Sequence, residues 1–354
     1  MEPLTFFMGS YTEYLIPEFG GIGKGIYTVQ LNTETGELSV LHTQTVRNPS
    51  YLALSDDHKF LYCSTELDES EKPRVKAFRI NSDCSLQFIN EQPIEGGYPC
   101  HIVVHEKNVL LACYATGNVI QYPLEHLGSV LPVATNQRHS GSSVNKDRQE
   151  APHAHQVTVH PNNKDIYVCD LGIDTLKAYE IKEEKLRPNI NKDVSISEGG
   201  GPRHMVFNPS GKLGYVINEL TGKVSVLQQV DDVFKEVAIY NSLPADYSGT
   251  PSASAIRLHP NGKFLFVANR GAELLTIFKV HENKLLNIEH QYTHGEELRE
   301  FNITPDGKWL IACHQNSYDT VVYRIKEDGK LEETYRTKEI LSPVCIVFLN
   351  QSKT

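Results

Sequence analysis

Several signals are missing from this sequence, and each absence excludes a class of protein. No stretch approaches the ~18 consecutive apolar residues that a membrane-spanning helix needs. The first residues, MEPLTFFMGSYTE, lack the basic start and the cleavage site of a secretory signal peptide. We therefore expect a cytoplasmic protein that does not associate with membranes.

Common catalytic and cofactor motifs are also missing. The sequence has no GxSxG, no P-loop and no GxGxxG after a predicted strand. It has no CxxC pair for structural zinc. His153 and His155 would share one face of a strand, but no third ligand follows at a suitable spacing. The sequence therefore predicts neither a bound metal nor a cofactor.

The charge balance argues against a nucleic-acid partner. The formal net charge is −10, so the protein as a whole repels polyanions. A locally basic pocket is still compatible with this balance, and a small anionic ligand is the partner that we expect.

The cysteine pattern indicates a reducing compartment. There are seven cysteines, an odd number, and no secretion signal accompanies them. Four occupy nearly equivalent places in predicted strands, where we expect small buried apolar side chains and no disulfides. These four are Cys63, Cys113, Cys169 and Cys313.

What the sequence does contain is a repeat. A short apolar strand, a turn pair and a second apolar strand recur seven times, and a third strand and a short fourth strand follow each pair. The turn markers, spaced 45 to 55 residues apart, are Asp56, Glu106, Pro161, Pro209, Pro260, Pro305 and Asn350. Strands repeating at this period predict an all-β fold, a seven-bladed β-propeller with one four-stranded sheet per repeat.

The seventh repeat is split between the two ends of the sequence. Its first strand, at 344–350, comes last, and its second strand, at 4–11, comes first. The two terminal segments would then complete one blade, which closes the ring and leaves no open sheet edge. Residues 1–354 are therefore predicted to form a single propeller domain, which we expect to be a monomer or a weak dimer.

Ionisable residues concentrate at one end of the predicted channel. First strands line the channel, and antiparallel pairing puts the residues before them and after the second strands at the same end, here called the charged rim. The other end carries ordinary turn residues, such as those at 209–211 and 260–262. The charged rim includes Tyr51, Glu66, His101, Tyr114, His153, His155, Asp170, Arg203, His204, Glu219, Arg270, Arg299, Glu300 and His314.

Four residues of the charged rim come from three consecutive repeats, and we predict that they are catalytic. They are His155, Arg203, Glu219 and Arg270. Guanidinium groups suit carboxylates and phosphates, and they would keep a neighbouring carboxylate ionised. That carboxylate could act as a general base or could hold an arginine in place. We predict substrate-binding roles nearby for His153, His204 and Arg299.

At these residues the sequence resembles the seven-bladed lactonase propellers, the family of the bacterial propeller-type 6-phosphogluconolactonase and the fungal carboxymuconate cyclase. The matching phrases extend over nearly the whole chain and include MGSYTE, GKGIYTVQLNTETGEL, NPSYLALSDDHKFLYCSTEL, PHAHQVTVHPNNKDIYVCDLG, GPRHMVFNPSGKLGYVINEL and LREFNITPDGKWLIACHQ. The resemblance implies a cytosolic, metal-independent enzyme acting on lactones of anionic small molecules. It also implies a site of His155 in PHAHQ, Arg203 in GPRHM, Glu219 in INEL and Arg270 in ANRG.

Three functions stay open at this point. The leading hypothesis is hydrolysis of 6-phosphogluconolactone to 6-phosphogluconate in the pentose phosphate pathway. The arginines and His155 would bind the phosphate and polarise the carbonyl, and Glu219 would activate water. The second is a cyclase or isomerase that closes a muconate-like carboxylate onto a double bond. The third is a propeller that only binds a protein or a ligand, because fold alone does not give function.

Overall fold

Each repeat forms one antiparallel sheet of four strands, and these sheets are the blades of a seven-bladed β-propeller. The computed structural model describes residues 2–17 and 19–349, and all seven blades fall within them. From blade one to blade seven, the inner strands are Pro49–Leu54, Pro99–His105, Ala154–Val159, Pro202–Phe207, Ala253–Leu258, Leu298–Ile303 and Pro343–Phe348. The second strands are Phe60–Thr65, Asn108–Cys113, Ile166–Asp170, Leu213–Asn218, Phe264–Asn269, Trp309–His314 and Leu4–Ser10.

The two remaining strands of each blade lie further from the channel. The third strands are Arg74–Ile80, Asn118–Pro123, Thr175–Lys182, Lys223–Val230, Leu274–His281, Thr320–Ile325 and Ile26–Leu31. The outer strands are Leu86–Pro93, Thr135–Arg138, Lys185–Pro188, Val233–Asn241, Lys284–Tyr292, Leu331–Thr337 and Leu38–Gln44. The expectation of short fourth strands is therefore wrong for most blades, because Val233–Asn241 and Lys284–Tyr292 each have 9 residues.

A few small elements lie outside this pattern. Val194–Ser195 pairs with the third strand of blade three. The glycine-rich segment near the N-terminus forms a two-stranded hairpin of Tyr14–Ile16 and Phe19–Gly20. Three single 3-10 turns occur at Glu69–Glu71, Leu171–Ile173 and Ile190–Lys192. Among the described residues, no helix has the length and apolar composition needed to cross a membrane.

Burial explains the composition of the strands. The second strand Phe60–Thr65 is buried along its whole length, because neighbouring blades cover both of its faces. The outer strand Leu38–Gln44 alternates between buried and more exposed residues, since only one of its faces meets another blade. All seven cysteines are unpaired, as predicted. Burial of the four that occupy second strands is also confirmed.

Histidines connect neighbouring blades at the end opposite the charged rim. Nδ1 of His160 accepts the backbone N–H of Asn162 at 3.2 Å, and its Nε2 lies 2.9 Å from the carbonyl oxygen of Gly211 in the next blade. His259 bonds in the same way to the carbonyl of Gly307, at 2.8 Å. Both imidazoles therefore hold their own turn and the adjacent blade together.

The two terminal segments close the ring as predicted. Leu4–Ser10 pairs antiparallel with Pro343–Phe348, with Phe6 opposite Phe348 and Met8 opposite Ile346. Pro343–Phe348 also contacts the inner strands on either side of it, Pro49–Leu54 and Leu298–Ile303. Blade seven thus completes a ring of inner strands around the channel. The last turn marker of the repeat, Asn350, lies outside the described residues.

Candidate active site

Every inner strand has a β-bulge at the same place near its start. In blade four, Pro202 pairs with Asn218 and His204 pairs with Ile217, so Arg203 is an extra residue in its strand. A bulge bends the strand and redirects the extra side chain. The sequence predicts that Arg203 and its equivalents come just before the inner strands. In the structure they belong to those strands. The seven bulge positions, here called the bulge ring, are Ser50, Cys100, His155, Arg203, Ser254, Arg299 and Val344.

The bulge ring surrounds a very small cavity. Six of its seven members line the cavity, together with Tyr51, His204 and Glu300. The volume of about 10 Å³ is close to the space that one water molecule needs. Four buried atoms of lining residues have no hydrogen bond within the described residues: Ser50 Oγ, His155 Nδ1, His204 Nδ1 and Arg203 Nε, the last of which lies in an ion pair with Glu219. The site can therefore offer polar contacts to an incoming oxygen atom.

Glu219 gathers three arginines at the charged rim. Its Oε2 lies 3.0 Å from Arg203 Nε and 3.0 Å from Arg270 Nη2. Its Oε1 lies 2.6 Å from Arg148 Nη2. The side chains of Arg203 and Arg270 are buried, whereas that of Arg148 is 44% exposed. One carboxylate thus fixes two buried guanidinium groups and touches a third that faces solvent.

The arginines determine the protonation state of this carboxylate. Burial acts to raise the pKa of Glu219, but the charges of Arg270, Arg203 and Arg148 outweigh burial and hold the pKa below its usual value. Burial and the nearby charge of Arg270 lower the pKa of Arg203 to about 10, which leaves it protonated at neutral pH. Glu219 is therefore an ionised partner of the arginines and a poor acceptor for a proton.

Three histidines pack against one another beside Arg203, whose Nη1 lies 3.3 Å from Nε2 of His204. The ring of His155 is 5.2 Å from that of His204, which is 5.9 Å from that of His101. Burial, reinforced by the charge of Arg203, lowers the pKa of both His155 and His204 well below the usual value. These two imidazoles are consequently neutral at pH 7, and the unpartnered Nδ1 of each can accept a hydrogen bond. Their low pKa makes them weaker bases than a free histidine as long as the arginine charges beside them are not offset.

Arg299 belongs to the same site. It lines the small cavity, and its Nη2 donates to the hydroxyl of Tyr11 at 2.8 Å. Its guanidinium also lies 3.9 Å from Glu66 Oε1 and 5.1 Å from the centre of the Phe19 ring. Phe19 comes from the N-terminal hairpin, so the glycine-rich segment helps to build the wall of the site.

His153 lies in a second layer, outside the bulge ring. Its ring stacks on that of Tyr114 at 4.5 Å, and its Nδ1 donates to the Tyr114 carbonyl oxygen at 3.0 Å.

The predicted site residues lie together at the charged rim. The structure places His155, Arg203, Glu219 and Arg270 next to one another, with His204 and Arg299 beside them. Sequence reasoning missed Arg148, whose only signal was a basic residue in a polar insertion just before a histidine-rich strand.

A larger cavity lies at the opposite end of the channel. Its volume is about 500 Å³, and its lining includes Val103, Val157 and Val206. Within the described part of the chain, no arginine, lysine, aspartate or glutamate lines it. The predicted asymmetry of the two ends is therefore confirmed, because arginines and glutamates line the smaller cavity instead.

Comparison with known proteins assigns the family. Residues 5–348 match the model of the lactonase family, described as a seven-bladed β-propeller. The chain belongs to this family. It is 32% identical over 354 residues to the 6-phosphogluconolactonase of Bacillus subtilis, with 98% of each chain covered. The resemblance stated from the sequence is thereby confirmed.

Solved structures agree with the family assignment. A crystal structure from Bacteroides fragilis, provisionally named as a 6-phosphogluconolactonase, superposes with a TM-score of 0.91 at 32% identity and covers 98% of both chains. The periplasmic gluconolactonase of Pseudomonas aeruginosa superposes with a TM-score of 0.90 at 25% identity. That alignment covers 98% of this chain and 99% of the other.

Proposed function

We propose that this lactonase-family propeller hydrolyses an anionic sugar lactone, and that 6-phosphogluconolactone is its substrate. One observation carries the proposal. The buried pair of Arg203 and Arg270, fixed by Glu219, lies at the channel mouth with the neutral, partly unpartnered imidazole of His155. This combination supplies positive charge for an oxyanion and a base for water. The names of the Bacillus subtilis and Bacteroides fragilis relatives support the same reaction.

His155 is the group that we assign to water activation. Its unpartnered Nδ1 would accept a proton from water as the water oxygen attacks the lactone carbonyl. The carbonyl oxygen becomes an oxyanion, which Arg203 and Arg270 would stabilise. When the ring C–O bond breaks, the imidazolium returns its proton to the leaving oxygen, giving the hydroxy acid. Burial is the main cause of the low pKa of His155, and the charge of Arg203 adds to it, so an anionic substrate that offsets this charge would make His155 a stronger base.

The sequence left two roles open for Glu219, a general base or an anchor that holds an arginine in place, and we propose the anchor. Both of its oxygens bind guanidinium groups, so a proton from water would have to displace an ion pair. We assign Glu219 to orienting Arg203 and Arg270. We further propose that the protein acts in the pentose phosphate pathway and is cytoplasmic. The seven unpaired thiols support the location, because they suit a reducing compartment.

The experiment compares hydrolysis with cyclisation. Wild type should accelerate the loss of freshly generated 6-phosphogluconolactone above its spontaneous rate and should leave 3-carboxymuconate unchanged. His155→Asn should lower kcat by roughly 100-fold or more, as expected for a general base. His126→Asn, at an exposed position, is the matched control and should keep wild-type kcat. Full activity of His155→Asn, or turnover of the muconate alone, would contradict the proposal.

A further inference from the structure

An ordered loop, residues 139–153, crosses the charged rim between blades two and three. His139 Nδ1 and Asp170 Oδ2 lie 2.5 Å apart, and Ser143 Oγ donates to Asp174 Oδ2 at 2.6 Å. Gln149 is fully buried, and its Nε2 donates to the carbonyl oxygen of Leu171 at 2.9 Å. At the far end of the loop the backbone N–H of His153 donates to Asp170 Oδ1 at 2.7 Å, so the loop is held at both ends and next to Arg148.

Arg148 differs from the other arginines of the site in its exposure. The side chain is 44% exposed, although the next residue, Gln149, is completely buried. Nη2 of Arg148 donates to Glu219 Oε1 at 2.6 Å and to the Tyr114 hydroxyl at 3.2 Å. A fixed backbone thus presents a guanidinium whose remaining N–H groups are available to a ligand at the mouth.

Arg148 also belongs to a network of ion pairs at the mouth. These pairs join four arginines to three glutamates, so the network itself carries one excess positive charge. The members are Arg148, Arg203, Arg270, Arg299, Glu66, Glu219 and Glu297. Glu219 keeps Arg203 and Arg270 as partners on its other oxygen, so Arg148 can turn towards a ligand at little electrostatic cost.

We propose that Arg148 forms a phosphate subsite at the outer part of the mouth, with the Tyr114 hydroxyl beside it. The subsite would bind the phosphomonoester of a substrate whose lactone reaches the bulge ring, and this inference rests on the proposed function. The planar guanidinium matches two phosphate oxygens at once, which a lysine does not. Arg203 and Arg270 lie buried beside Glu219, where they would face the reacting carbonyl, so the exposed Arg148 is left to bind the phosphate. The loop thereby selects phosphorylated lactones over neutral ones.

The test compares Arg148→Gln with Lys146→Gln on two substrates. Lys146 lies in the same loop, and within the described residues its side chain bonds only to the carbonyl of Ser143, so its replacement removes an equal charge without touching Glu219 or Tyr114. For 6-phosphogluconolactone, Arg148→Gln should raise KM about tenfold or more and leave kcat nearly unchanged, because a charged hydrogen bond to the ligand is lost. For unphosphorylated gluconolactone, KM should not change. Arg148→Lys should recover only part of the loss.

Binding of the products separates this inference from the proposed reaction. By calorimetry, wild type and Lys146→Gln should bind 6-phosphogluconate more tightly than gluconate, and Arg148→Gln should lose most of that difference. If wild type accelerates neither lactone, the proposed hydrolysis fails, and the calorimetry alone decides the subsite. An unchanged preference for 6-phosphogluconate in Arg148→Gln, or equal increases of KM for both lactones, would overturn the subsite.

Discussion

The Nε atom of Arg203 lies 3.0 Å from Oε2 of Glu219, although one residue is in an inner strand and the other follows the neighbouring second strand. Antiparallel pairing brings the start of the first strand and the end of the second to the same end of the blade. The bulge at Arg203 then directs its side chain inwards, where Glu219 receives it. A local irregularity in a regular fold thus creates the central ion pair of the site.

Replacing Glu219 tests its assigned role as an anchor for the arginines. Glu219→Gln keeps the shape but leaves Arg203 and Arg270 as buried charges that have lost this partner. Breaking a buried ion pair costs roughly 3–5 kcal/mol, so we expect a loss of this order in the free energy of unfolding, measured by urea denaturation. Inorganic phosphate should raise the Tm of this variant more than that of wild type, since the released arginines would bind it.

Glu297→Gln is the matched control for that experiment. In the described part of the chain, the side chain of Glu297 forms one ion pair, with Arg270 at 3.2 Å, and it is 29% exposed. Its replacement should therefore have a much smaller effect on unfolding. A Glu219→Gln protein as stable as wild type, with kcat alone reduced, would restore Glu219 as the base and contradict the anchoring role.

The repeat explains which parts of the site were predictable. His155, Arg203 and Arg299 were found because the propeller period brings equivalent strand positions to one rim. Glu219 and Arg270 were found because they follow second strands. The role of Glu219 was not predictable, since distinguishing a base from an ion-pair partner requires distances between side-chain atoms. The contact of Arg148 was missed because the path of an inserted loop does not follow from strand periodicity.

A pH series tests the environment of the buried histidines. Burial, together with Arg257 and Arg203, lowers the pKa of His101 to about 3. Between that value and the usual histidine pKa of about 6.5, the unfolded chain binds a proton that the folded chain does not, so stability falls as the pH falls. His101→Gln removes this difference in proton binding between the unfolded and folded chains. It should reduce the slope of the unfolding free energy against pH by about 1 kcal/mol per pH unit between pH 6 and 5.

The slope would come from urea denaturation at several pH values, with the exposed His126→Gln as the matched control. If His101→Gln and wild type lose stability equally over this range, His101 does not occupy the desolvated environment described above.

Removing the last inner strand tests closure of the ring. Deletion of residues 342–354 would unpair Leu4–Ser10 and expose the inner faces of blades six and one. Exposed sheet edges associate with one another, so we expect a lower Tm and aggregation in size-exclusion chromatography. A peptide of residues 341–349 added in trans should restore the wild-type Tm and elution volume. A truncated protein with wild-type Tm and no aggregation would argue against closure.

In the proposed reaction, buried arginines at the mouth of the propeller stabilise the oxyanion of a lactone. The most direct measurement is the kcat/KM of wild type and Arg203→Gln on freshly generated 6-phosphogluconolactone, corrected for spontaneous hydrolysis. We predict clear acceleration by wild type and a reduction of about 100-fold or more in the variant, the usual effect of losing an oxyanion donor. A wild-type rate equal to that of buffer, or equal kcat/KM values for the two proteins, would contradict the claim.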